Sequence, residues 1–127
     1  MAKASANPVL KELQAAVKGL LFPSETDAPL EAFAWPATGT ALPDEAAIRA
    51  NAKVDKKTVV ERVTLPELAR TIPSESRGDF APLFAVLAHH LSGTAVFKVG
   101  EVEIDVYVVG RTADGQFAGV KTKVVET

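Results

Sequence analysis

Along the last third of the chain, apolar and polar positions alternate with a period of two, the spacing that puts successive side chains on opposite faces of a strand. After Gly100, Val102, Ile104, Val106 and Val108 point one way, while Glu101, Glu103, Asp105, Tyr107 and Val109 point the other. A shorter strand-like run over residues 96–99 precedes it, with a tight turn at Gly100. A run dense in β-branched residues follows over 117–125. Between the last two lies Thr112-Ala113-Asp114-Gly115, where Asp-Gly supplies the positive φ of a hairpin turn. The pattern predicts three consecutive antiparallel strands, with the last residues held beside the final strand as a defined surface.

Upstream, the period changes. Residues 1–6 read as loose, and Asn7-Pro8 reads as a helix start, with Asn as cap and Pro in the first turn. Leu10, Leu13, Val17 and Leu20 or Leu21 follow at helical spacing, and Gly19 is placed to end that helix. A polar loop over 22–27 leads to a strand over 30–35. In that strand Phe33 and Trp35 share one face and Leu30, Ala32 and Ala34 the other, and Pro36 closes it. Residues 43–52 have helix-forming composition but only Ile48 as a bulky apolar residue, which predicts a short surface helix. A strand over 58–63 follows, and then Thr64-Leu65-Pro66-Glu67, which fits a capping box opening a short helix through Ala69. Residues 71–78 read as loop. Asp79 is expected to cap the longest helix, with Phe80, Leu83, Phe84, Leu87 and Leu91 as one apolar stripe and Gly93 as its end.

Helix and strand thus alternate before three closing strands, which predicts an α/β layered domain with a mainly antiparallel sheet. One feature pulls against full coverage of that sheet: Glu101, Glu103 and Asp105 share a face. The resolution expected is a helix over the Tyr107 and Val109 half only, with the acidic half in water.

At 127 residues the chain is expected to be one domain over 1–127. Apolar content of 47% and charged content of 24% are those of a soluble globular protein. The absence of cysteine excludes disulfides and thiolate metal sites. With no signal-like or membrane-spanning run, a cytoplasmic location is the expectation, without membrane association. Acids outnumber bases by 16 to 14, a net charge of −2 that gives direct nucleic-acid binding no electrostatic support.

Candidate chemistry is sparse. The carboxylates of Glu101, Glu103 and Asp105 could ligate a divalent cation, but metal sites usually draw ligands from several elements, and a solvated strand end is the simpler reading. His89-His90 lies in the last turn of the long helix, where two adjacent side chains diverge by about 100° and cannot chelate one ion. Favourable cation placement at a helix C-terminus explains them. Arg77-Gly78-Asp79 is a three-letter coincidence with an adhesion tripeptide. No phosphate loop, nucleophile elbow or zinc spacing occurs, so the chain is not read as an enzyme and no cofactor is expected.

Two blocks carry a resemblance. The first runs Gly19-Leu20-Leu21-Phe22-Pro23-Ser24-Glu25-Thr26 and continues Pro29-Leu30-Glu31-Ala32-Phe33-Ala34-Trp35. The second is GEVEIDVYVVG followed by ADGQFAGVKTKVVET. Together they cover about half the chain and closely resemble the nuclease A inhibitor family, small cytosolic proteins that block a sugar-non-specific, metal-dependent endonuclease. The resemblance implies an α/β/α sandwich with helices on both sheet faces. It implies a one-to-one complex that plugs the active site of a DNA/RNA endonuclease, whose own Mg or similar divalent metal the inhibitor meets. It puts the inhibitory surface on the loop of Ser24 and Glu25 and on the C-terminal Glu126-Thr127. Glu25 would face basic residues, and Thr127 would approach the partner's metal. Glu75 is expected as a further partner contact, in a segment where this chain departs from the family. Where the inhibitor has Pro-Gln-Asp-Trp and a dense acidic run, this chain has Pro73-Ser74-Glu75-Ser76-Arg77-Gly78-Asp79. The missing tryptophan motivates an alternative: an interaction module that kept the fold and lost or changed its nuclease target.

Overall fold

A computed structural model describes residues 6–22, 28–35, 44–54, 57–113 and 115–125, with backbone only for 6–8. Five strands form one sheet in the order β3-β7-β6-β5-β4, and every neighbouring pair is antiparallel. They are β3 (Glu31–Trp35), β4 (Val60–Val63), β5 (Ser92–Val99), β6 (Glu103–Arg111) and β7 (Phe117–Val125). The last two expected strands sit at the centre. β6 and β7 pair from Glu103↔Val125 to Arg111↔Phe117, joined by the expected hairpin turn. There Thr112 N–H donates to the Gln116 carbonyl at 2.7 Å, and Gln116 N–H donates back to the Thr112 hydroxyl at 3.1 Å.

The period of two sorts the sheet into two cores. On one face Ile104, Val106 and Val108 of β6, with Ala118, Val120 and Val124 of β7, pack against helices α1 (Ala6–Val17), α3 (Leu65–Arg70) and α4 (Arg77–His90). On the other face Phe97, Tyr107, Val109 and Phe117 meet helix α2 (Glu45–Ala52). The result is the expected α/β/α layering. The second face is covered on one side only, and its acidic end lies open, with Glu103 exposed and Asp105 half-buried.

Ile48 anchors α2 in the second layer, with Ala47 and Ala52 packed at its sides. Ile48 is the one buried side chain of α2 and has no exposed surface. It packs beside Phe33 and Trp35, whose rings stack at 4.4 Å. Asp44 caps the helix by accepting from Ala47 N–H at 2.9 Å. Arg49 reaches from it to the Thr58 carbonyl at 2.8 Å, tying the helix to the segment that enters β4.

Several boundaries differ from expectation. α1 opens at Ala6, one residue before Asn7, and Gly19 follows its end with φ 74°. The capping box at Thr64 and Glu67 is complete, and α3 runs to Arg70. Asp79 is not a cap. Residues 74–76 form a 3-10 turn that runs straight into α4 at Arg77, so Asp79 lies inside the first turn, where a negative charge suits the helix dipole. Arg77 is fixed there by its Nε donating to the Ile72 carbonyl at 2.9 Å. Gly93 does not end the helix either. α4 stops at His90, and Gly93 sits in β5 where the register to β6 shifts. Within the apolar stripe Phe80, Leu83 and Leu87 are buried, but Phe84 is only partly so, on the stripe's margin with its ring 6.0 Å from Phe80. Val102 leaves the alternating set altogether: β6 begins at Glu103, and Val102 lies exposed on the turn before it. Among the described residues no helix is long and apolar enough to cross a membrane.

Candidate partner-binding surface

Ser24, Glu25, Glu126 and Thr127 lie outside the described residues, so the segments that flank them define the candidate surface. A two-stranded ribbon brackets residues 23–27. Its arms, β1 (Leu21–Phe22) and β2 (Ala28–Pro29), pair antiparallel with Phe22↔Ala28 and Leu21↔Pro29. The ribbon did not stand out in the sequence because each arm is two residues long, too short to show a period.

Two anchors hold it. Phe22 is buried and meets the Phe80 ring edge-to-face, with centroids 5.8 Å apart. On the other arm, the Thr122 hydroxyl of β7 donates to the Pro29 carbonyl at 3.0 Å and lies 3.5 Å from that of Ala28. Pro29 and Ala28 therefore rest against β7 three residues before its last described position, Val125. The root of the 23–27 segment and the stem of residues 126–127 are thus brought to one end of the sheet. Thr122 was a missed residue with a readable signal. It is the polar member of an inward series, Ala118, Val120, Thr122 and Val124, and a buried hydroxyl needs a partner.

Glu75 is exposed on the 3-10 turn before α4. An open groove separates that turn from the end of α1 and the ribbon, with Ser76 and Asp79 on one wall and Gly19 and Leu21 on the other. A second groove runs beside β2 on the open half of the sheet, lined in part by Glu31, Asp105, Lys121 and Lys123. Its charges are mixed. Lys123 Nζ lies 3.6 Å from Glu103 Oε1, and both are largely exposed, so this pair contributes little stability.

The remaining candidates resolve as structure. Glu101 lies in the turn before β6 and Glu103 faces Lys123. Among the described residues no three His, Cys, Asp or Glu side chains gather to hold a metal. His90 Nε2 sits 2.9 Å from Glu12 Oε2 and ties α4 to α1, while the His89 ring packs edge-on at 4.6 Å from it. The backbone and hydroxyl of Thr64 hold the Glu67 carboxyl below its usual range through the capping box. Burial, and then the Asp105 charge, push the Tyr107 phenol up. Both shifts belong to the fold.

No curated protein matches the sequence. The family model described as nuclease A inhibitor-like protein matches residues 7–127. That match takes in the ribbon, the sheet and the stem of β7, and the chain belongs to the nuclease A inhibitor-like family.

Proposed function

We propose that this protein inhibits a sugar-non-specific, metal-dependent endonuclease by entering its active site with the 23–27 segment and the C-terminal residues together. The observation that supports this reading is the Thr122 clamp, which roots the ribbon beside the final strand. Two anionic segments 100 residues apart in sequence then act from one end of the molecule.

The chemistry is complementary on each side. A nuclease of this type presents a hard divalent cation and basic residues arranged for phosphate. Glu25 offers a carboxylate to the basic residues, with Ser24 beside it as a hydrogen-bonding hydroxyl. Thr127 offers a hydroxyl toward the partner's metal, with the Glu126 carboxylate beside it. Glu75 stands across the groove as an outer contact. The inhibitor holds no cofactor of its own in this scheme, catalyses nothing, and acts in the cytoplasm as a one-to-one complex that excludes nucleic acid.

The test is a titration of purified magnesium-dependent endonucleases of the ββα-metal class from the same host. Activity falling to zero at one equivalent supports the reading. Full activity of every such nuclease at large excess refutes it and leaves an interaction module with a changed target.

A further inference from the structure

Among the described residues the large apolar side chains left exposed are Leu21, Val59 and Val102, at 51%, 45% and 55% of full exposure. Scattered exposed apolar residues are ordinary on a protein surface. These three are not scattered. Leu21 opens the ribbon that carries residues 23–27. Val102 directly precedes Glu103, whose register partner is Val125. Val59 directly precedes β4, and its carbonyl accepts from Gly100 N–H at 2.8 Å, which joins it to the turn holding Val102. The β1–β2 ribbon that carries Leu21 is a separate two-stranded sheet resting against β7 through Thr122, and from the end of β7 the sheet leads on to the Val102 turn and Val59.

We infer that Leu21, Val102 and Val59 form an apolar rim on which the target nuclease seats around the two anionic segments, so the interface extends well beyond Glu25 and Thr127. This rests on the inhibitory reading above. Two features favour that occupant. The rim flanks both segments that the reading sends into the active site. The exposed carboxylates of Glu101 and Glu103 on either side of Val102 match the basic surroundings of a site built for phosphate.

The Val102 turn depends on its glycine. Gly100 has φ 114°, a conformation other residues rarely adopt, and a side chain there would meet the Glu103 carbonyl at 2.5 Å. Apolar contacts here take the place of the aromatic anchor that the Pro73 to Asp79 segment lacks.

The test uses the intact chain and a magnesium-dependent, sugar-non-specific endonuclease that it inhibits. Leu21→Ser, Val59→Ser, Val102→Ser and the triple variant remove apolar surface without adding charge; aspartate is avoided because it would attract a basic partner. Val102→Ser is expected to weaken inhibition about tenfold and the triple variant further, with unchanged circular dichroism. Ala88→Ser, on the exposed face of α4, is expected to leave inhibition unchanged. Amide exchange on the unmutated chain gives a second readout that needs no variant: residues 100–103 should gain protection when the nuclease binds. If the chain inhibits but the triple variant inhibits equally and residues 100–103 gain no protection, the rim is overturned while the inhibitory reading stands. If the unmutated chain inhibits no such nuclease, both fall.

Discussion

Thr122 is the point where fold and candidate surface meet, and Thr122→Val tests that link. The substitution keeps the shape and the β-branch and removes the hydroxyl that donates to Pro29. A neutral hydrogen bond of this kind contributes about 1 kcal/mol net. A carbonyl left dry and unpaired would cost up to about 3 kcal/mol, but Pro29 is exposed and water can reach it, which keeps the loss near the lower figure. A 127-residue domain unfolds with an entropy of roughly 0.27 kcal/mol/K, so about 1 kcal/mol lowers Tm by about 4 °C. The local effect should exceed the global one, because among the described residues the β1–β2 ribbon has two residue pairs of its own. Amide exchange at Phe22 and Ala28 should accelerate while that of β6 tracks the small global change. Inhibition should weaken, and Thr122→Ser, which keeps the donor, should restore most of it. A Thr122→Val chain with unchanged ribbon exchange and full inhibition would show that the hydroxyl does not position the 23–27 segment.

Two further predictions concern the opposite layer. Ile48→Ala removes the one buried side chain of α2 and should cost roughly 3 kcal/mol, read by urea denaturation, without altering inhibition of the chain that remains folded. Tyr107 gives an alkaline signature. Its pKa is raised in the folded state, so its contribution is fully present below its unfolded pKa, near 10, and is lost as pH rises through the folded value. Melting temperature should fall as pH rises above about 10 in the native chain, and Tyr107→Phe should flatten that fall.

What the sequence disclosed follows from how many residues carried each signal. β6 and β7 are nine residues each, long enough for alternation to name both faces, and the burial of Ile104, Val106 and Val108 against Tyr107 and Val109 follows that alternation. The open acidic half was readable for the same reason, through Glu103 and Asp105 on one face, although Glu101 falls in the turn before the strand. α2 shows the opposite case. One isoleucine looks like weak amphipathicity, yet with Ala47 and Ala52 beside it Ile48 docks on a sheet that supplies Phe97, Tyr107 and the stacked Phe33 and Trp35. The start of α4 was misplaced because Asp79 looks like a cap, while the 3-10 turn at Ser74–Ser76 had already begun the helical path. Val102 continued the alternation in sequence but not in space, because the turn at Gly100 consumes it. The candidate surface came from the resemblance and not from periodicity: short loops and chain ends carry too few residues to repeat. Thr122, which roots that surface, was visible as a lone hydroxyl in an apolar series.

The most direct measurement is competition between this protein and nucleic acid for the nuclease. Initial rates of a magnesium-dependent, sugar-non-specific endonuclease would be recorded against rising DNA at several concentrations of the native chain, of Glu25→Ala, and of Thr127→Ala. Circular dichroism would be taken on each. Active-site entry predicts that the native chain raises the apparent KM and leaves the maximal rate unchanged. It predicts that Glu25→Ala and Thr127→Ala keep their fold but lose most of this effect. Inhibition that DNA cannot relieve, or equal inhibition by all three chains, would contradict it.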